Sequence, residues 1–237
     1  MGGAMGTKAE SELKRAVGAA DMLELLARAF SYPDTALARA LCDGSFVSDA
    51  RSCAEDMDIV ETTAEAIGKL SCVQGADAVE LQETMRRGFS ILYLAPGDHV
   101  PVYPYEGPFR FVADQRPGSP LLFRNRSAED IMRLMKEEGL EPDPNRHEPA
   151  DSIWFELAFF SHLYALLAQA LDRDDESAIE ERRDALGRYV EEHGRPWMEA
   201  FMNQTCEKAP KCSFAGVYGD LASLGAAVLP AAFTVGR

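Results

Sequence analysis

A histidine, two carboxylates and a proline stand close together ahead of a long apolar segment, in the run His147-Glu148-Pro149-Ala150-Asp151. A zinc-protease helix of the HExxH type opens in a similar way, but its two histidines must share one face of an uninterrupted helix. Pro149 stands in the middle of the run, and a proline inside a helix costs about 3 kcal/mol. We therefore interpret the run as a helix entry, in which the Asp151 side chain caps the helix that follows.

Other signatures of catalysis are missing from the sequence. It carries no GxxxxGK[ST] phosphate loop, no GxGxxG after a predicted strand and no GxSxG nucleophile elbow. His99 and His193 have no partners at metal-ligand spacing, and Glu156 is expected to be a buried, hydrogen-bonded group. The sequence predicts no catalytic residue, no metal site and no resident cofactor, and so a protein that is not an enzyme. The alternative is an enzyme whose His99, His147 and Glu156 converge only in the folded chain.

Helical periodicity dominates the elements that must position these residues, since apolar side chains recur at three- and four-residue spacing. The pattern predicts an all-α protein with helices at residues 9–30, a short stretch ending at 41, 48–70, 78–93, 127–139, 153–171, 176–192, from Pro196 onwards, and 214–229. Ser127 is the predicted N-cap and Gly139 the predicted C-cap of one of them. Residues 95–125 hold six prolines and are predicted to be one long irregular loop.

The segment 153–171 is apolar enough to resemble a membrane span. It contains Glu156, however, and a carboxylate at the centre of a bilayer costs about 2.5–3.5 kcal/mol. We expect it to be the central helix of a bundle. No stable membrane insertion is predicted.

The composition sets the broad class of the protein. The 237 residues include 39 acidic and 24 basic side chains, a net charge of −15 that disfavours nucleic acid and favours cationic partners. Five cysteines without a CxxC pair favour a reducing, cytoplasmic location. Residues 1–7 are predicted to be a disordered start or a cloning remnant, and residues 8–237 a single all-helical domain.

Two passages carry a more specific signal. The first is Phe89-Ser90-Ile91-Leu92-Tyr93-Leu94-Ala95-Pro96-Gly97, followed by Val102-Tyr103-Pro104-Tyr105-Glu106-Gly107. The second is Glu148-Pro149-Ala150-Asp151-Ser152-Ile153, which leads into Glu156-Leu157-Ala158-Phe159. Their order and spacing resemble the TorD/DmsD family of cytoplasmic redox-enzyme maturation chaperones, over residues 89–167. In that family an aromatic-x-x-Leu-aromatic-x-x-Pro-Gly run precedes a Pro-aromatic-Glu-Ser segment, and an E-P-x-D-H-I turn opens a later helix.

The resemblance implies a TorD-like helical bundle that acts as a chaperone. Such a protein binds the twin-arginine leader, the apo-subunit, or both, of a molybdenum-cofactor oxidoreductase, assists cofactor insertion and holds back premature export. A leader presents cations and then an apolar stretch, so its complement is an acidic surface beside an apolar groove. The partner-binding residues predicted on this basis are Tyr93, Pro96, Gly97, Tyr103, Pro104, Tyr105, Glu106, Phe109, Glu148, Pro149, Asp151, Ser152 and Trp154. We place the site where the 95–125 loop meets the turn at 149–154.

Two departures from the family pattern favour an alternative. Ser152 stands where the family has the histidine associated with leader recognition, and Gly107 stands where it has serine. The alternative is a chaperone of the mature catalytic subunit that does not bind the leader tightly; a helical scaffold without peptide specificity is a third. Replacing Asp151 by alanine is expected to weaken leader binding while leaving the helical content nearly intact.

The sequence does not decide the oligomeric state or the use of small ligands. A monomer and a segment-exchanged dimer with a hinge near residues 172–175 are both compatible with it. Transient contact with molybdenum cofactor or a guanine nucleotide is also left open.

Overall fold

The computed structural model describes residues 3–95, 100–120, 125–141 and 148–234, and this part of the chain is all-helical, as predicted. Its strand-like pairing is confined to one isolated antiparallel bridge between Tyr105 and Ser152. The helices are α1 (Gly3–Phe30), α2 (Thr35–Asp43), α3 (Ser45–Asp56), α4 (Val60–Leu70), α5 (Ala78–Tyr93), α6 (Glu106–Ala113), α7 (Arg126–Glu137), α8 (Ile153–Asp172), α9 (Glu176–Tyr189), α10 (Arg195–Lys208) and α11 (Gly216–Ala232). Since α1 is continuous across residue 8, no break marks the predicted domain start, and that division stays a prediction.

The centre of the bundle is the apolar helix α8, which packs along α1. The Ser161 hydroxyl donates to the Ala20 carbonyl across this contact, with an O···O distance of 2.7 Å. By length and composition α8 could cross a membrane, but 67% of its most apolar window is buried inside the protein. The prediction of a core helix at this position is therefore confirmed.

A second pair of helices, α10 and α11, completes the core together with α5. Pro196 stands in the first turn of α10, as predicted, where its missing N–H is not needed. The rings of Trp197 and Phe201 face inward and are fully buried. Phe201 contacts Phe30 edge-on and stacks on Tyr93.

Side-chain caps fix the starts of several helices. Asp34, Asp77 and Asp175 each accept a hydrogen bond from backbone N–H groups in the first turn of α2, α5 and α9. The predicted N-cap at Ser127 is wrong, because Asn125 Oδ1 accepts from the Ala128 N–H at 2.9 Å and α7 begins at Arg126. Gly139 follows that helix in the left-handed region, at φ +77°, which a glycine adopts without steric cost.

The helix predicted over 48–70 is two helices. Its pattern of apolar residues continues from α3 into α4, but the backbone turns at Asp58, whose φ is +60°. Aspartate is one of the few residues besides glycine and asparagine that tolerate this conformation. Hydrophobic periodicity alone could not show the break, since both helices bury apolar side chains in the same core.

The long irregular loop predicted for 95–125 is wrong in its middle, where α6 forms. Pro108 is the third residue of that helix, within the first turn, where a proline removes no intrahelical hydrogen bond. Residues 96–99 and 121–124, which belong to the same predicted loop, lie outside the described residues. Proline content therefore excluded a long helix here, but not a short one that begins just before a proline.

The predicted boundary between the helix at 176–192 and the next one is also different. Residues Val190–Gly194 form a π-helical turn that joins α9 to α10 without a break. This turn buries His193. Wide turns of this kind are frequent at functional sites.

Candidate functional site

The two passages that carry the family resemblance lie side by side in the structure. The Glu106 N–H donates to the Asp151 carbonyl at 2.8 Å, and the Ile153 N–H donates to the Pro104 carbonyl at 2.9 Å. These bonds flank the bridge between Tyr105 and Ser152. We call this pairing of residues 104–107 with 151–153 the junction. Its location agrees with the predicted position of the site, whereas binding by it stays a prediction.

Asp151 caps a helix at the junction, but not the one predicted. Its Oδ2 accepts from the Gly107 N–H at 3.0 Å, so the carboxylate satisfies the first turn of α6. The first residue of α8 is preceded by Ser152, which makes no side-chain cap. Asp151 caps α6 and not α8 because the junction places the first N–H groups of α6 beside its carboxylate. Burial raises the pKa of this carboxyl group, and the bonds from Gly107 and Asn125 partly offset that rise.

The close contact between residue 107 and Asn125 explains why residue 107 is a glycine. A Cβ atom at this position would lie 2.6 Å from Cγ and Oδ1 of Asn125. The Asn125 side chain is held in place because it caps α7 and hydrogen-bonds to Asp151. The absence of the family serine at residue 107 therefore goes with an asparagine that fills the space.

Glu106 is fully buried and has two cationic or ionisable partners. Its Oε1 accepts from Arg110 Nη1 at 2.6 Å, and its Oε2 lies 2.9 Å from His193 Nδ1. The His193 ring is held by the π-helical turn and stacks on Tyr189. Glu106 thus ties the start of α6 to the turn between α9 and α10.

Glu156, one turn into α8, is the second buried glutamate of this region. Tyr189 OH and Trp197 Nε1 donate to its Oε2 at 3.3 and 3.2 Å, while its Oε1 has no partner among the described residues. Desolvation, and then the charge of Glu106, raise the pKa of Glu156 well above its usual value. The expected buried, hydrogen-bonded role of Glu156 is confirmed.

An acidic and aromatic surface lies at the outer side of the junction. We call it the Tyr105–Glu148 surface, and its members are Tyr105, Glu148, Pro149 and Trp154. The rings of Tyr105 and Trp154 meet edge to face at 5.8 Å, and Trp154 Nε1 donates to Glu148 Oε2 at 3.1 Å. Glu148 is exposed, Tyr105 and Pro149 are half-buried, and Trp154 is buried, so that it supports the surface from the core side. Desolvation, followed by the Glu148 charge, raises the pKa of Tyr105 to about 12.

The other predicted site residues lie deeper or elsewhere. Tyr93 stacks on Phe201 in the core, and Phe109 packs against Trp197, so both are buried. Pro104 and Ser152 are buried at the junction, and the Ser152 hydroxyl has no hydrogen-bond partner in the described part of the chain. Tyr103 is half-buried. Pro96 and Gly97 lie outside the described residues, and partner contact by any of these side chains stays a prediction.

The sequence did not indicate the roles of three residues of this region. Arg110 follows Glu106 by four residues, a spacing that predicts an ion pair on a helix once a helix is expected there. Asn125 and His193 reach the junction from 18 and 87 residues away in sequence, and no local pattern announces them.

The described residues include no group of three or more His, Cys, Asp or Glu side chains arranged to hold a metal ion. His99 and His147, which the alternative enzyme interpretation needs, lie outside that part of the chain. Contact with molybdenum cofactor or a guanine nucleotide stays a prediction. The arrangement at the junction positions hydrogen bonds and aromatic faces, as a peptide-binding surface requires.

The fold and the pairing of the two motif segments define an all-helical bundle, and comparison with known proteins identifies its family. Residues 56–203, more than half of the chain, match the family model described as the nitrate reductase delta subunit. The protein belongs to this family of TorD-type molybdoenzyme maturation chaperones, which confirms the resemblance seen in the sequence. No curated protein and no solved structure gives a significant match to the chain.

Proposed function

We propose that the protein is a cytoplasmic chaperone that binds the twin-arginine leader, the apo form, or both, of a partner molybdenum-cofactor oxidoreductase. It assists cofactor insertion, holds back premature export and acts by binding and release without catalysis. The family assignment supports the general role. The junction of residues 104–107 with 151–153 supports the location, because it joins the motif segments and leaves the Tyr105–Glu148 surface on its outer side.

The chemistry of this surface suits an arginine-containing peptide. An arginine can pair with the exposed Glu148 carboxylate while its planar guanidinium lies against the Tyr105 ring. The net charge of −15 on the whole chain favours the approach of a cationic segment. The half-buried Pro149 supplies apolar area beside these polar groups.

One observation favours a second candidate, a chaperone of the mature catalytic subunit without tight leader binding. Glu106, Asp151 and Ser152 have no exposed surface. They therefore maintain the junction, and the leader can contact only the outer residues. A surface built from so few side chains gives a weak site unless the folded client adds further contacts.

A binding experiment with two peptide-contact variants tests the proposal. A synthetic twin-arginine leader is titrated into the wild type and into a Tyr105→Leu/Glu148→Gln double variant, with calorimetric detection. Losing one exposed charge pair and one cation–π contact is expected to weaken binding about tenfold. The matched control is Tyr32→Leu/Glu180→Gln, which removes the same groups at two exposed positions away from the junction.

The outcomes separate the two candidates. Equal leader affinity for the wild type and the Tyr105→Leu/Glu148→Gln variant, with the fold preserved, would contradict a leader site at this surface. Binding of a leaderless apo-client without binding of the isolated leader would establish the second candidate instead. Absence of binding to either form would refute the chaperone proposal for the client tested.

A further inference from the structure

One face of helix α5 collects exposed apolar side chains. Of the nine large apolar side chains exposed in the described part of the chain, five lie on α5 or contact it: Tyr32, Val79, Ile91, Leu94 and Phe214. Single exposed apolar residues are normal on a protein surface, whereas a group of them on one face indicates a contact with another molecule. We call this face the α5 surface, and its members are Tyr32, Arg86, Arg87, Ile91, Leu94 and Phe214.

Two arginines of this surface lie between two exposed rings. The Arg86 guanidinium carbon is 5.6 Å from the centre of the Tyr32 ring, and the Arg87 guanidinium carbon is 5.6 Å from the centre of the Phe214 ring. Tyr32 is 51% exposed and Phe214 is 49% exposed. Aromatic residues and arginine are enriched at protein–protein interfaces, where they dominate the binding energy. The composition of the α5 surface is therefore that of an interface with another protein.

The charges of the two arginines are only weakly neutralised within the chain. Arg86 Nε donates to the Pro33 carbonyl at 3.1 Å, and Arg86 forms no ion pair in the described part of the chain. Arg87 pairs with Glu83 at 4.0 Å, and both side chains are largely exposed, so solvent and salt screen the pair. The α5 surface thus presents positive charge in a chain whose net charge is −15. A segment that carries carboxylates is its electrostatic complement.

Phe214 holds its ring at this surface in an unfavourable backbone conformation. Its φ is +66°, in the left-handed region that a bulky residue rarely adopts. A Cβ atom at residue 88 would lie 2.4 Å from the Phe214 carbonyl oxygen, so Gly88 allows this segment to cross α5 closely. The half-exposed ring regains little of the backbone cost by burial in the core. Backbone strain of this kind is concentrated at binding sites.

We infer that the α5 surface binds an acidic segment of a partner protein. Carboxylates of the segment pair with the two arginines, and its apolar side chains contact Phe214 and Ile91. A helix meets both requirements when glutamate and leucine recur at three- and four-residue spacing, because residues at that spacing share one face. Such a segment has the opposite charge to a twin-arginine leader, so the inference goes beyond the proposed function and does not depend on it.

The test uses a synthetic helical peptide with glutamate and leucine at this spacing, and a second peptide with lysine in place of each glutamate. Each is titrated into the full chain by fluorescence anisotropy, and NMR shifts of backbone amides locate the contact. The acidic peptide is expected to bind and to shift the amides of α5, whereas the lysine peptide leaves them unshifted. Arg87→Gln should weaken the acidic peptide about three- to fivefold. Glu83→Gln should strengthen it, because the carboxylate that competes for Arg87 is removed.

A substitution of Phe214 separates binding from folding. Asparagine tolerates the left-handed region, so Phe214→Asn is expected to unfold at the wild-type temperature or above it. The same variant should lose about fivefold or more in affinity for the acidic peptide. The matched control is Gln115→Asn, at an exposed residue outside the α5 surface with φ +52°. This control should keep the full affinity.

Three results would overturn the inference. They are failure of the acidic peptide to bind the wild type, unchanged affinity in both Arg87→Gln and Phe214→Asn, and self-association of the wild type that Arg87→Gln abolishes. The last result would assign the α5 surface to a second copy of the chain. None of them affects the leader-binding experiment, whose test variant changes Tyr105 and Glu148.

Discussion

At the scale of single residues, three buried carboxyl groups near the junction differ in their partners. Glu106 faces Arg110 and His193, and Asp151 accepts from the start of α6. Glu156 accepts only from the neutral donors Tyr189 and Trp197. Glu156 and Asp151 have only neutral hydrogen-bond donors, and burial raises the pKa of both carboxyl groups.

Replacing Glu156 by glutamine is expected to remove a pH dependence of stability. The pKa of Glu156 is higher in the folded state than in the unfolded state. The protonated carboxyl group therefore stabilises the fold fully at a pH below the unfolded-state pKa, and this stabilisation is lost as the pH rises towards the folded-state pKa. The wild-type free energy of unfolding should therefore fall, by up to about 1.4 kcal/mol per pH unit, above pH ~5. Denaturant titrations from pH 5 to 9 measure this slope.

The glutamine variant should show a flatter profile than the wild type, since it keeps an acceptor for Tyr189 and Trp197. The other ionisable groups near Glu156, namely Glu106, Asp151 and Tyr189, remain and account for any residual slope. Glu180→Gln, at an exposed position, is the control. Identical slopes in the wild type and Glu156→Gln would show that Glu156 is not the group responsible.

Asp151 is expected to stabilise the folded protein by capping α6. Replacing it by alanine removes the cap of α6 and should lower the free energy of unfolding by about 1–2 kcal/mol. Asparagine keeps an acceptor for the Gly107 N–H and should cost less. Circular dichroism should show nearly unchanged helical content in both variants. An alanine variant as stable as the wild type would contradict the capping role.

The sequence identified Asp151 as a cap but assigned it to the wrong helix. Capping preferences are local, and they favour the helix that starts next in the chain. The Gly107 N–H that Asp151 caps lies 44 residues earlier in the chain, and only the tertiary structure shows this pairing. Helix α5, by contrast, has the predicted bounds because Asp77 and its apolar spacing are local signals.

At the scale of elements, the first turn of α6 packs closely against the start of α7, where Gly107 contacts Asn125. A Cβ on residue 107 would meet the Asn125 side chain at 2.6 Å, and that side chain cannot leave without uncapping α7. The position of α6 is therefore set from two sides, by Asp151 and by Asn125. This contact explains a departure from the family pattern that the sequence could report but not account for.

A double-mutant cycle tests the fit. Gly107→Ala is expected to destabilise the protein by about 1–3 kcal/mol through overpacking, and Asn125→Ala by about 1 kcal/mol through loss of the cap. The double variant should lose less than the sum, because truncating Asn125 removes the clash. Denaturant unfolding gives the four values needed.

The control for this cycle is Gly68→Ala. No atom lies within 4 Å of a Cβ at residue 68, in the last turns of α4, so alanine should stabilise that helix by up to about 1 kcal/mol. Strict additivity of the Gly107 and Asn125 substitutions would mean that the two residues do not compete for space.

At the scale of the whole molecule, the sequence predicted the fold more completely than the candidate site. The all-helical bundle could be predicted because α1, α8 and α11 carry their apolar surface in regular patterns. The candidate site could be predicted only in outline, since the sequence showed which segments take part but not which side chains face outward. Tyr93 and Phe109 are buried against Phe201 and Trp197 of α10. Glu106 is buried against His193, in the turn before α10, so all three depend on residues much later in the chain.

The net charge of −15 gives the proposed leader binding a salt dependence. The association rate with a twin-arginine leader is expected to fall several-fold between low salt and about 0.5 M, where the Debye length drops below about 5 Å. The dissociation rate should change less, because it reflects the short-range contacts at Tyr105 and Glu148. Stopped-flow measurements at several salt concentrations separate the two rates. An association rate independent of salt would contradict electrostatic steering.

The capping of α6 by Asp151 also has a consequence for the order in which the protein is made. The ribosome adds about 5–20 residues per second, so the 44 residues between Gly107 and its cap take roughly 2–9 seconds to synthesise. His193, the partner of Glu106, is 87 residues away and emerges later still. During this interval the start of α6 exposes unsatisfied N–H groups, and Glu106 lacks the second of its two partners. The junction is therefore among the last parts of the nascent chain to mature, and a client cannot meet a finished site until most of the chaperone has left the ribosome.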